Sequence, residues 1–153
     1  MMKVRPVHPG DYAAAEQLLR QLQDIHAAGR PELYPRGQAC LNEFFFSSML
    51  TNEDMIALVA EQQRRIIGIC IASMLNYSGA VRIKTVCIDQ LVVDKACRRS
   101  GVGSMLLRET ARRAGNLGAK RMDLTVWSFN QDAIQFYEHT GMTPQRIIYE
   151  QAL

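Results

Sequence analysis

Hydrophobic and polar positions recur along this chain with two different periods, and the changes of period mark its elements. Val4-Arg5-Pro6-Val7 reads as a short opening strand, and Pro9-Gly10-Asp11 as a turn whose aspartate is placed to cap a helix. Ala14, Leu18, Leu22 and Ile25 then recur at helical spacing until Gly29-Arg30-Pro31 ends the segment. Residues 31–37 read as a loop carrying Tyr34 and Arg36. A second short helix is predicted over 39–50, where Phe44, Phe45 and Phe46 give more aromatic surface than one face needs.

The middle of the chain is strand-like. Residues 55–60 and 66–75 are apolar and β-rich, joined by the polar turn Glu61-Gln62-Gln63-Arg64. Ser78-Gly79 marks a further turn, and 82–93 is a third run, in which Ile83, Thr85 and Cys87 alternate with Lys84, Val86 and Ile88. These three runs predict an antiparallel meander. The period then turns helical over 101–114, with Val102, Met105, Leu106 and Glu109 at helical offsets and Asn116-Leu117-Gly118 as the stop. A strand over 121–127, a helix over 131–139 closed by Gly141, and a last strand over 145–149 complete the order β-α-α-β-β-β-α-β-α-β. That order predicts an α/β domain with a mixed sheet and a right-handed strand–helix–strand crossover.

Composition narrows the class. The 153 residues predict one domain, 1–153. A chain of this size buries roughly 70% of its unfolded surface. A hydrophobic fraction of 48% with 22% charged residues excludes disorder and collagen-like structure. Eighteen basic against fifteen acidic residues leave a net charge of +3. That is weak for a dedicated nucleic-acid binder, yet favourable to a small polyanion where the basic residues cluster. No apolar run approaches the roughly 18 residues of a membrane span. Met1-Met2-Lys3-Val4-Arg5-Pro6 lacks the apolar stretch of a secretory signal. Cys40, Cys70, Cys87 and Cys97 form no C-x-x-C pair and have no histidine at zinc-finger spacing. The expectation is a reduced, cytoplasmic protein without a metal, a nucleic-acid partner or a membrane.

The most informative stretch is Leu91-Val92-Val93-Asp94-Lys95-Ala96-Cys97-Arg98-Arg99-Ser100-Gly101-Val102-Gly103-Ser104. A buried strand enters a polar turn with two arginines, and two near-adjacent glycines open a helix. Free N–H groups at a helix start attract anions, glycines admit a phosphate close to the backbone, and arginine forks match phosphate oxygens. A Walker loop is absent, and Leu106 occupies the third glycine position of a dinucleotide fingerprint. Taken locally, the stretch is equally consistent with a tight turn bearing exposed arginines.

Arg98-Arg99-Ser100-Gly101-Val102-Gly103 resembles the R/Q-x-x-G-x-G/A motif of the GNAT superfamily of acyl-CoA-dependent N-acyltransferases, and Leu91-x-Val93 resembles that family's L-x-V strand ending. The block from Asn130 to Met142 resembles its N-x-x-A-x-x-F-Y-x-x-x-G-F segment, with Met142 in place of the usual aromatic. Both motifs stand in the family's order, and the resemblance covers nearly the whole chain. It implies a meander followed by a β-α-β crossover whose central strands splay, helped by a bulge. The exposed backbone of Leu91 and Val93 is then implied to pair with the pantetheine arm of acetyl-CoA like an added strand, with Val92 between them also among the cofactor-binding residues. Arg98, Arg99, Ser100, Gly101, Val102, Gly103 and Ser104 are implied to hold its pyrophosphate, with Asn130, Ala133 and Tyr137 toward its pantetheine end. Homodimers are common among similar proteins, but no residue pattern here decides the point.

The implied reaction has chemical requirements. An amine with a lysine-like pKa of about 10.4 is neutral in only about one molecule in a few thousand at pH 7. The site needs a base, a donor for the leaving thiolate and N–H groups at the oxyanion. By resemblance, the oxyanion donor is the amide of Val93 or a neighbour, and Tyr137 is the general acid. The alternative for Tyr137 is a core residue on the apolar face it shares with Ala133 and Phe136. Asp89 is the candidate base, on the face of Leu91 if the strand alternates regularly; the alternative is a solvated carboxylate paired with Lys84 or Arg82. Glu43 is a second candidate. Acceptor recognition is implied in 30–46, with Tyr34, Arg36, Glu43 and Phe45 as pocket residues and Arg30 or Arg36 as a grip for an anionic group. Trp127 reads as core at a strand end, and Arg108, Arg112 and Arg113 as a solvated helix face. Three functions remain open: an N-acetyltransferase, a non-catalytic acyl-CoA-binding module, and a poorly fitting nucleic-acid binder.

Overall fold

In the computed structural model, which describes residues 1–75 and 83–153, the apolar middle runs form the centre of a five-stranded sheet. The strands are β1 (Met2–Pro6), β2 (Met55–Gln62), β3 (Arg65–Leu75), β4 (Thr85–Val93) and β5 (Arg121–Leu124), adjacent in that order. β1 through β4 pair antiparallel, as the meander predicts, and β5 returns parallel to β4. The helices are α1 (Tyr12–Gly29), α2 (Glu43–Thr51), α3 (Val102–Asn116) and α4 (Gln131–His139). The predicted turn at Ser78-Gly79 and the start of the third run at Arg82 lie outside the described residues.

The near-continuous apolar character of β2 and β3 follows from cover on both faces of the sheet. On one face Leu58, Cys70, Ala72, Val86 and Ile88 pack with Val102, Leu106, Leu107 and Ala114 of α3. On the other, Val59, Ile69, Ile71 and Val92 pack with Ala15, Leu18 and Leu19 of α1 and with Phe46 and Met49 of α2. Gly68 sets the depth at which α3 settles. A methyl group there would lie 3.0 Å from both Leu106 and Val102.

Several local expectations are corrected. The predicted four-residue turn is the two-residue Gln63-Arg64, because Gln62 and Arg65 still pair; both turn residues have positive φ (51° and 64°), the geometry of a type I′ hairpin. Asp11 precedes α1 but does not cap it with its side chain. Its carboxylate instead accepts from Arg5 at 2.7 and 2.9 Å and from the His8 amide at 2.8 Å. The second helix begins at Glu43 rather than 39, since Asn42 Oδ1 accepts from the Phe45 amide and fixes the start there. β5 stops at Leu124 rather than 127. The last predicted strand is absent: residues 145–149 join no ladder. No helix among the described residues is long and apolar enough to cross a membrane.

Candidate active site

The site grows from a mismatch between neighbouring strands. β4 and β5 pair from Thr85 opposite Arg121 to Ile88 opposite Leu124 and then part, while β4 runs on to Val93. Against β3 the register shifts: Ile71 pairs with Gln90 but Ala72 pairs with Ile88, so Asp89 is the extra residue of a bulge. Beyond it, the Asp94 amide donates to the Ile67 carbonyl at 2.9 Å. Antiparallel alternation then turns the backbone groups of Val92 toward β3 and those of Leu91 and Val93 away from it. Leu91 and Val93 therefore present main-chain groups on the side that β5 has left. Val92 is the exception among the expected cofactor residues, its side chain buried against the α1 face. The Val93 carbonyl is taken by Arg98 Nε at 3.2 Å, leaving the Val93 N–H.

The turn after β4 is anchored by Asp94, which accepts from the Ala96 amide at 3.0 Å and pairs with Arg65 at 2.5 Å. The Ala96 bond, helped by the Arg65 charge, holds its carboxyl below the ordinary value. Arg99 and Gly101 then adopt left-handed backbones, with φ of 61° and 82°. The first helical bond of α3 runs from Met105 N–H to Gly101 O at 3.0 Å. Among the described residues, no main-chain N–H from Arg98 to Ser104 has an acceptor. A row of unpaired donors at the positive end of a helix is an anion receptor. A methyl group on Gly101 would meet nothing within 4 Å, so glycine serves its backbone conformation. On Gly103 it would lie 3.1 Å from the Phe136 ring and 3.7 Å from Val93, so glycine there brings α3, α4 and β4 together.

Tyr137 stands on α4 beside Phe136, with ring centroids 5.2 Å apart. Burial pushes its phenol up to about 12, and the nearby Cys70 adds to the effect. At neutral pH the hydroxyl is therefore protonated and available as a donor. Asn130 Oδ1 accepts from the Ala133 amide at 3.2 Å, so the side-chain oxygen expected to serve the cofactor or its loop caps α4.

Asp89 accepts from Ser73 Oγ, and partial burial raises its carboxyl above the ordinary range while that bond opposes the rise. The regular alternation expected between Asp89 and Leu91 fails because of the bulge. Ser73 and Asp89 lie on the face away from α3, whereas Leu91 packs on the α3 cluster. Lys84 does not pair with Asp89; its ammonium donates to the Leu117 carbonyl at 2.7 Å. Arg82, the other expected partner, lies outside the described residues. Glu43 is exposed in the first turn of α2, and Phe45 packs half-buried on the α1 face.

The loop after α1 reaches an aromatic cluster that sequence reasoning missed. Trp127 is half-buried beyond the end of β5, not core at a strand end. Its indole N–H donates to Tyr34 Oη at 2.9 Å, its ring stacks on Phe129, and the Arg30 guanidinium lies 4.7 Å over it. His26 packs on Tyr34 at 4.8 Å, and burial lowers the His26 pKa. Gly29 makes room, since a methyl group there would lie 2.3 Å from the Phe129 ring. The available signal was the need of a partly buried indole for a hydrogen-bond acceptor. Arg36 is exposed, and the structure gives it no place in this cluster. Arg112 and Arg113 both pair with Glu109 on α3, whose carboxyl they draw down to about 2.

Comparison with known proteins agrees with this geometry. The model of the Acetyltransferase (GNAT) family matches residues 17–142. The uncharacterized N-acetyltransferase YhfO of Bacillus subtilis is 28% identical over 141 residues, covering 92% of this chain and 89% of that protein. YwnH of the same organism is 31% identical over 83 residues, and the match spans 54% of this chain and half (50%) of that protein. Among solved structures, the F44R mutant of BH1408 from Bacillus halodurans superposes with a TM-score of 0.94 at 24% identity, covering 99% of both chains. The aminoglycoside N-acetyltransferase AAC(6')-Iy, solved in complex with CoA, superposes with a TM-score of 0.75 at 18% identity, covering 99% of both chains.

Proposed function

This chain belongs to the acetyltransferase (GNAT) family, and on that premise we propose that it is a cytoplasmic N-acetyltransferase that transfers the acetyl group of acetyl-CoA directly to a primary amine. The observation that carries the reading is the parting of β4 from β5 at Ile88 and Leu124, beside a run of unpaired N–H groups from Arg98 to Ser104. A cosubstrate with an amide-bearing arm and a pyrophosphate needs both features in series. Leu91 and Val93 offer main-chain groups to the arm, and the loop from Arg98 to Ser104 receives the diphosphate. The complex with CoA of AAC(6')-Iy, which shares this fold, supports the assignment.

In the proposed reaction, amine and thioester meet in one ternary complex. Asp89, its affinity for a proton raised by burial, takes the proton of the amine directly or through water. The neutral amine attacks the thioester carbonyl, and the Val93 N–H stabilises the oxyanion. Tyr137 donates to the departing thiolate. The tetrahedral intermediate collapses to amide and thiolate; the attacking nitrogen gives up its second proton to solvent, solvent returns one to the thiolate that Tyr137 hydrogen-bonds, and no covalent enzyme intermediate forms. In this reading Tyr34, Glu43 and Phe45 serve the acceptor side, and the contacts of Trp127 with Tyr34 and Arg30 add those two residues to the candidates. Residues 1–153 act as one domain in this reading.

Thermal unfolding with and without acetyl-CoA, together with thiol release over a panel of amines, tests it. Ligand at 100 times its dissociation constant stabilises a protein by about 2.7 kcal/mol. Stabilisation with thiol release for one amine class is the expected result and identifies the acceptor class. Stabilisation without release from a panel spanning amino acids, polyamines, aminoglycosides and protein amines favours a non-catalytic acyl-CoA-binding module. No stabilisation refutes the reading.

A further inference from the structure

The β2–β3 turn combines a disfavoured backbone with an unspent charge. Gln63 and Arg64 hold φ of 51° and 64°, where a type I′ hairpin favours asparagine and glycine. A left-handed backbone suits a long side chain poorly, and residues kept in such conformations cluster at ligand sites. Among the described residues, the ion pairs around this turn use Lys3, Arg5 and Arg65 but not Arg64.

Arg64 lines a cavity of about 370 Å³ between the start of α1 and the turn, large enough for a small organic ligand. The charged lining is three guanidinium groups, Arg5, Arg64 and Arg65, against two carboxylates, Asp11 and Asp94. Both carboxylates are already matched. Asp11 accepts from Arg5 and the His8 amide, and Asp94 from Arg65 and the Ala96 amide. Arg65 gives only Nη2 to Asp94, and its side chain is 63% exposed, so its other donors stay open beside those of Arg64. Ala14, Leu18 and Ile66 supply an apolar wall.

We propose that this cavity is a second anion site, distinct from the loop of Arg98 to Ser104. It takes a phosphomonoester, whose dianion Arg64 and Arg65 grip and whose organic group lies on the apolar wall. Two guanidinium forks match the several oxygens of that dianion, and the excess of one positive charge in the lining favours it. Asp94 borders both the cavity and the turn that leads to Arg98. Two sources therefore fit the same chemistry: a free phosphate ester, and the 3′-phosphate of acetyl-CoA. The site itself does not depend on the proposed reaction.

Calorimetric titration of the full chain with phenyl phosphate tests the site. The loop is first closed to phosphate, by Gly101→Glu in one arm and by saturating 3′-dephospho-CoA on the parent chain in the other. Saturable binding of one equivalent is expected in both, and the Gly101→Glu arm decides even if the chain binds no CoA. Gln63→Asn with Arg64→Gly removes the guanidinium and supplies the residues that the turn favours, so that variant keeps its fold. With the loop closed it should bind phenyl phosphate about 10-fold more weakly or worse, from the loss of charge-assisted hydrogen bonds. Ala14→Glu, which sets a carboxylate on the cavity wall, should do the same. No binding once the loop is closed, or binding that neither substitution weakens, would overturn the proposal. Acetyl-CoA identifies the source. If the parent binds it more tightly than its 3′-dephospho form and the turn variant does not, the 3′-phosphate fills the site; equal affinities, with phenyl phosphate still bound, assign it to a free ester.

Discussion

Replacing Tyr137 by phenylalanine separates its chemistry from its packing. The ring is kept, and with it the edge contact to Phe136 at 5.2 Å. A CoA thiol resembling cysteine titrates near about 8.5, whereas the Tyr137 phenol is pushed up to about 12. Moving the proton fully from phenol to thiolate would therefore cost about 5 kcal/mol. Tyr137 then acts by hydrogen-bonding the thiolate as it forms, and solvent supplies the final proton. A hydrogen bond to a charged group is worth about 1.5–3 kcal/mol, which predicts a fall in kcat of about 10- to 150-fold. Acetyl-CoA affinity should stay within about twofold, since the bond strengthens only as charge develops on sulfur. The ratio of parent to variant kcat should be flat between pH 6 and 9, because the phenol titrates well above that window. Thiol-release kinetics at saturating acetyl-CoA give kcat, and calorimetric titration gives affinity. An unchanged kcat, or a loss seen mainly in affinity, would refute this role and return Tyr137 to packing.

Asp89→Asn should lower kcat/KM and flatten its acid limb while raising Tm at pH 7. The sign follows from burial: the folded-state pKa is raised, so the unfolded chain ionises first as pH rises, and the ionised carboxylate costs stability above its ordinary titration range. Parent-like turnover in that variant would remove Asp89 as the base. Gly101→Glu places a carboxylate among the unpaired N–H groups at a φ of 82°; acetyl-CoA should no longer raise Tm, and retained stabilisation would sink the assignment of the phosphate loop. Gln63→Asn with Arg64→Gly suits the positive φ values of the β2–β3 turn and should stabilise the fold by about 1–2 kcal/mol. For this size that is a Tm rise of about 3–6 °C, and a scan showing none would contradict the type I′ reading.

The helices were legible because one-sided burial imprints a period on the run itself, as at Leu18 and Leu22. The doubly covered strands were legible only as near-continuous apolar runs, in which Ile69 and Ile71 do not disclose their face. The loop from Arg98 to Gly103 was legible for a related reason: a left-handed backbone at Gly101 and a close approach at Gly103 each demand a residue type at a fixed offset. The face of Asp89 was misread, since a bulge arises from the mismatch of two strands and neither strand alone carries it.

What the sequence by itself determined was therefore the inventory: which segments bury a face, where the chain turns, and which residues can meet an anion. Tertiary structure alone decided which of these parts meet. It ended β5 at Leu124 while β4 continued, and brought Trp127 from one end of the chain to Tyr34 near the other. It also left Ile147 to Tyr149 outside the sheet. The physical reason is that periodicity records burial within a few residues, whereas a ladder's register and a strand's neighbour depend on backbone bonds between distant segments, and every residue type except proline can donate in them equally well.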